Sequence, residues 1–128
     1  MKIIRSEDLK FEPASHEDKS SPGCLKKVLV TKDELSPGRL QMINWALLPK
    51  SKSFSSHYHQ DMQEVFVILN GEVEIEIDDE SARLKAGDAV LIPEQAVHRM
   101  SNVSSEDVYY IALGVSRESG GKTIVVGS

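Results

Sequence analysis

Within SFSSHYHQDMQEVFVILNG, residues 53–71, three side chains have the chemistry and the spacing to hold a metal ion. His57 and His59 stand two apart in a stretch that reads as extended, and on a strand residues i and i+2 project from one face. Glu64 follows five residues after His59 and opens the apolar run VFVIL. Two imidazoles and a carboxylate form an N,N,O set that a divalent transition metal accepts, with positions left for further ligands. The competing reading is a solvated strand face that happens to carry polar groups. The apolar run weighs against it, because ionisable groups beside a core are costly without a partner.

The chain holds four histidines. His16 lies in ASHEDKSS, a loop by composition, and reads as a surface histidine outside any ligand set. His98 opens the strand-like HRMSN after Pro93, and an inward His98 would share its face with Met100 and Asn102. It is either a strand histidine satisfied by a neighbour or a further ligand that an antiparallel barrel returns to the first three.

The elements that must position these groups are strands. CLKKVLVT (24–31), LQMINWALLP (40–49), EVEIEID (72–78), SARLKAG, AVLIP (89–93), VHRMSNV (97–103), VYYIALGV (108–115) and KTIVV read as strands, separated by turn signals and by the Gly120-Gly121 break. EVEIEID alternates strictly, with Val73, Ile75 and Ile77 on one face and a solvated acidic row on the other. AVLIP reads as a buried strand stopped by Pro93, and Asn70-Gly71 reads as a type I′ hairpin turn. Residues 1–22 form a polar arm broken by Pro13 and Pro22, with short strands expected at Ile3-Ile4 and around Phe11. With no helical period, the pattern predicts an all-β sandwich or barrel.

Composition narrows the function classes. The chain has 128 residues, enough for one domain with a real core, and a net charge of −5 with scattered basic residues, which disfavours nucleic acid as a partner. No apolar run approaches a membrane span, and MKIIRSEDLKFE lacks the apolar core of a signal peptide. The single cysteine, Cys24, excludes an intramolecular disulfide and fits a reducing compartment, so a cytoplasmic protein is expected. Cys24 reads as a free, partly buried thiol and not as a nucleophile.

The two halves of the candidate site resemble the two motifs of the cupin superfamily. His57, His59, Glu64 and Gly71 match the first motif, and Gly87, Pro93, His98 and Asn102 match the second, with fifteen residues between them. Ser51 and Gln95 stand where each motif carries a glycine, so the departures fall on positions that shape the backbone. The resemblance covers residues 51–102 and is closest to small, microbial, single-domain members. It implies a double-stranded β-helix, or jelly-roll barrel, spanning residues 1–128 as one domain with 1–22 as its N-terminal arm. It also implies that His57, His59, Glu64 and His98 hold one divalent ion inside the barrel; Fe, Mn, Ni and Zn all suit such a set.

The function this implies is an oxygenase, isomerase or lyase acting on a small metal-chelating organic compound or sugar. The alternative is a non-catalytic cupin that binds or senses a small molecule. Strand parity turns Phe66 and Ile68 inward with Glu64, so the pocket is expected to be mostly apolar. No Arg or Lys cluster lies near either motif, which favours a largely non-ionic substrate body. Gln41, Asn44, Tyr58, Arg99, Tyr109 and Tyr110 are the candidates for polar contacts, and no catalytic acid/base pair stands out. Strands apolar on both faces, with Val65, Val67 and Leu69 opposing Phe66 and Ile68, lead to the expectation of a homodimer.

Overall fold

The computed structural model describes residues 1–116 and 122–127. Eleven strands are present among them: β1 (Glu12–Pro13), β2 (Leu25–Thr31), β3 (Leu40–Leu48), β4 (His57–His59), β5 (Met62–Ile68), β6 (Glu72–Ile77), β7 (Glu80–Lys85), β8 (Ala89–Ile92), β9 (His98–Asn102), β10 (Val108–Ser116) and β11 (Thr123–Val125). The only helical elements described are single 3-10 turns at Ser6–Asp8 and Lys32–Glu34. A six-stranded sheet runs β1-β2-β3-β10-β5-β8 and a five-stranded sheet runs β11-β4-β9-β6-β7. Every described pairing is antiparallel, and the fold is the all-β jelly roll expected from the strand pattern.

The core lies between the two inner faces. Leu48, Phe66, Ile68, Tyr110 and Ala112 come from the six-stranded sheet, while Val73, Ile75 and Met100 come from the other. Strand parity explains the membership: β5 and β10 alternate strictly between buried and half-buried positions along their whole length. The outer row of the six-stranded sheet, including Ile43, Trp45, Val65, Val67, Ile111 and Leu113, is apolar yet only half-buried, and Leu91 beside it is 60% exposed.

Three expectations fail, each because long-range pairing overrides local preference. Asn70-Gly71 does not close a hairpin, since β5 pairs with β10 and β8 while β6 belongs to the other sheet. Gly71 has a φ of 71° but Asn70 is not in the left-handed region, so the type I′ turn is absent. Asn70 instead ties the corner, accepting from the Tyr109 amide and donating to the Asp107 carbonyl, both at 2.8 Å. AVLIP is buried on one face only, with Ile92 in the core and Val90 against it but Ala89 and Leu91 exposed, because β8 is an edge strand paired only with β5. Ile3 and Ile4 form no strand and are exposed; the arm's strand is confined to Glu12–Pro13, where it pairs with β2. The Gly120-Gly121 break lies outside the described residues.

Candidate metal centre

Four buried donors meet between the sheets. His57 and His59 sit on β4, His98 on β9 and Glu64 on β5, so one sheet brings three imidazoles and the facing sheet brings the carboxylate. His57 lies directly opposite His98 in the register of β4 and β9. One donor atom from each of the four can be chosen so that all lie within 4.8 Å of one another.

Their orientation tests whether a cation fits. His57 Nδ1 donates to the Ser55 carbonyl at 2.7 Å, and His98 Nδ1 donates to the Ala96 carbonyl at 2.9 Å. Each ring in its neutral form then turns an unprotonated Nε2 inward. His98 Nε2 lies 3.2 Å from Glu64 Oε1, and His59 Nε2 lies 2.7 Å from the same oxygen. His59 is held from behind by Thr123 Oγ1, 3.0 Å from its Nδ1. Lone pairs of a carboxylate and of imidazoles therefore converge, and they need either protons or a cation between them. With metal–ligand distances of about 2.0–2.2 Å, a small contraction gathers the set round one ion. Backbone carbonyls and a hydroxyl orienting the rings are the outer partners such ligands use. The cluster can hold a metal ion.

Electrostatics agree with a neutral His57 and an ionised Glu64. Burial pushes the His57 pKa down to about 3, with the neighbouring His16 and His98 adding to the shift. Burial opposes ionisation of Glu64, but its hydrogen bonds to His59 and His98 outweigh that and hold the carboxyl at about 2.

A pocket of about 400 Å³ opens on the His59 and Glu64 side of the cluster. Phe66 supplies apolar wall, as its parity with Glu64 predicts, and Met62 and Ala112 join it. Ile68 and Met100 point inward but are buried in the core away from the pocket. Gln41, Asn44 and Tyr110 line it among the polar candidates. The other three do not line it. Tyr58 and Tyr109 point away from it, Tyr109 toward Trp45 and Phe11, and Arg99 is exposed. Cys24, expected to be partly buried, is 1% exposed; its Sγ lies 3.2 Å from the Tyr110 hydroxyl, and burial lifts the thiol pKa to about 12.

The arm brings what local composition hides. His16 is not a solvated surface residue: its ring stacks on His57 at 3.9 Å between centroids and 15° between planes, and it lines the pocket. It stays outside the four-residue cluster. Glu17 lies 2.7 Å from His16 Nδ1 and accepts from the amides of Ser55 and Gly23, each at 2.8 Å. Burial alone would raise the Glu17 pKa; these hydrogen bonds reverse the sign and bring it to about 2. Glu17 thus holds the amide of Ser55, the residue whose carbonyl orients His57. Lys26 and Lys32, both outside the two motifs, also line the pocket, so the lack of a basic cluster near the motifs does not leave the pocket without cations.

The two replaced glycines keep the backbone a glycine would take, with φ of 65° at Ser51 and 68° at Gln95. The Cupin domain family model matches residues 44–114, more than half of the chain and both halves of the cluster. The chain belongs to the cupin family. This cupin is 28% identical over 105 residues to an uncharacterised protein of Methanocaldococcus jannaschii, covering 82% of this chain and 80% of that one. It is 31% identical over 62 residues to a protein named polyketide synthase CurC of Streptomyces cyaneus, covering 48% and 40% of the two chains. Among solved structures, one described as a predicted oxalate decarboxylase of Thermotoga maritima superposes with a TM-score of 0.78 at 22% identity, covering 90% of this chain and 99% of that one. The polyketide cyclase RemF of Streptomyces resistomycificus superposes with a TM-score of 0.78 at 15% identity, covering 100% and 87%. At such identities these superpositions speak for the fold alone.

Proposed function

We propose that this cupin is a metal-dependent enzyme, an oxygenase, isomerase or lyase, whose ion is held by His57, His59, Glu64 and His98. The substrate is a small organic compound or sugar that chelates through oxygen. The single observation that carries the reading is the convergence of four buried donors at the inner end of a pocket. A divalent ion bound there supplies Lewis acidity to the oxygens of a chelating substrate. The chain's part is to hold the donors rigidly on strands, keep Glu64 ionised, and exclude water with Phe66, Met62 and Ala112. Neighbours described as a decarboxylase and a cyclase show that this fold can carry catalysis, and do not by themselves choose between an enzyme and a binding module. The test is turnover: apo protein is reconstituted separately with Fe, Mn, Ni and Zn, then offered diols, hydroxy acids and keto acids, with oxygen uptake followed in parallel. Turnover with one metal form is expected; binding without turnover in all forms would leave the sensing module.

The whole chain, arm included, is proposed to work as one cupin domain that pairs with a second copy. The half-buried apolar outer row of the six-stranded sheet, continued by exposed Leu91, supports that pairing. Light scattering at micromolar concentration should give twice the chain mass, and a monomer would sink the pairing.

A further inference from the structure

The start of β2 contains two adjacent lysines, and on a strand one of them has to face each side. Lys27 takes the outside: its Nζ donates to Ser6, at 2.9 Å to the carbonyl and 3.1 Å to the hydroxyl, and lies over the Phe11 ring. Lys26 takes the inside. It pairs in register with Ala46, which pairs in turn with Tyr110, and all three line the pocket that reaches His59 and Glu64. Lys26 is half-buried and, among the described residues, its ammonium has neither a hydrogen bond nor an ion pair. The one pocket-lining carboxylate outside the metal cluster is Asp33, on the exposed 3-10 turn after β2.

One register step along the same face lies Asn44, which pairs with Val28 and Ala112. It is 9% exposed, and its Oδ1 is the one fully buried side-chain polar atom without a partner among the described residues. Leaving such an oxygen unpaired is costly, so it marks a place where a donor from outside the chain belongs. A lone ammonium and an orphaned amide oxygen thus stand on adjacent inward positions of one wall. The metal cluster stands at the inner end of the same pocket.

We propose that Lys26 and Asn44 form a second anchor, so that the substrate is a small acid with two ends. One end chelates at the cluster, the other presents a carboxylate to Lys26, and a hydroxyl between them donates to Asn44 Oδ1. This rests on the metal reading of the preceding section and replaces the largely non-ionic substrate body expected from the motifs.

The test uses metal-loaded protein and calorimetric binding of three keto acids: 2-oxopentanoate, 2-oxoglutarate and 4-hydroxy-2-oxoglutarate. They share a chelating end and differ by one carboxylate and then by one hydroxyl. The wild type should bind 2-oxoglutarate at least tenfold more tightly than 2-oxopentanoate, and the hydroxylated acid more tightly still. Lys26→Met should bring the first preference to near unity with 2-oxopentanoate unchanged, Lys26→Arg should retain it, and Asn44→Ala should remove only the hydroxyl preference. Equal wild-type affinity for all three acids would overturn the anchor while leaving the metal reading in place, and needs no variant to fold. Protein that takes up no metal at all would instead overturn the metal reading. Preferences that survive Lys26→Met and Asn44→Ala would also refute the anchor.

Discussion

The pocket is shared by two regions that differ in how they are built. The four candidate ligands sit on paired strands of the two sheets, where ladder hydrogen bonds and burial hold each one. The other region is the arm with the start of β2, where His16, Glu17 and Lys26 come from chain with little regular structure or from an outer strand. Its geometry depends on one carboxylate: Glu17 gathers His16, Ser55 and Gly23. The lesson is a division of labour. Regular strands fix the donors, and an irregular arm, docked through a buried acid, covers His57 and orients it through Ser55.

The arm's docking is most sensitive at Gly23. A Cβ there would stand 1.9 Å from the Ser53 carbonyl oxygen, a backbone atom that cannot swing away. Gly23→Ala should therefore lift the arm's end and cost about 3 kcal/mol, in the range of severe single substitutions. Urea melts would measure it, and a change below about 0.5 kcal/mol would mean that the arm is not docked as described.

Glu17→Gln probes the same region more gently. It removes the charge that holds the Ser55 amide, so metal affinity should fall about tenfold with stoichiometry unchanged, as for other outer partners of metal ligands. A chelator competition titration reads this directly, and unaltered affinity would show that the arm does not help orient His57.

Acid should separate the regions too. Glu17 and Glu64 have folded pKa values of about 2 against an ordinary 4.5, so the stability each gives is full above 4.5 and lost as pH falls toward 2. His57, lowered from 6.5 to about 3, acts in the same direction: between those values the unfolded chain binds a proton that the folded chain refuses. Thermal melts of the apo protein should decline from about pH 6.5 downward, and Glu17→Gln should flatten the part of that decline below pH 4.5. A melting temperature that stays flat from pH 7 to pH 3 would contradict the assigned protonation states.

The smallest effect concerns the backbone beside each motif. Ser51 and Gln95 carry side chains in the left-handed region, so Ser51→Gly and Gln95→Gly should each stabilise the fold by up to about 1 kcal/mol. Equal or lower stability would mean that their side chains repay the strain.

Much of the strand region was legible in advance because period two is a strong local signal. His57 with His59, Glu64 with Phe66 and Ile68, and His98 with Met100 and Asn102 all fall on the faces their parity predicts. Asn70-Gly71 misled because φ preference says nothing about which sheet the next strand joins. AVLI misled because an edge strand can be as apolar as a central one. His16 was hidden by its polar neighbours: stacking on His57 is a tertiary contact between residues 41 positions apart, with no local trace. Lys26 did leave a trace, since two adjacent lysines in a strand force one of them inward.

The central claim is that the four strand-borne residues hold one ion. The direct measurement is elemental analysis of purified wild type and of the His57→Ala, His59→Ala double variant, with circular dichroism to confirm that the β structure persists. About one divalent ion per chain is expected in the wild type and almost none in the folded double variant. Equal metal content in the two proteins would contradict it.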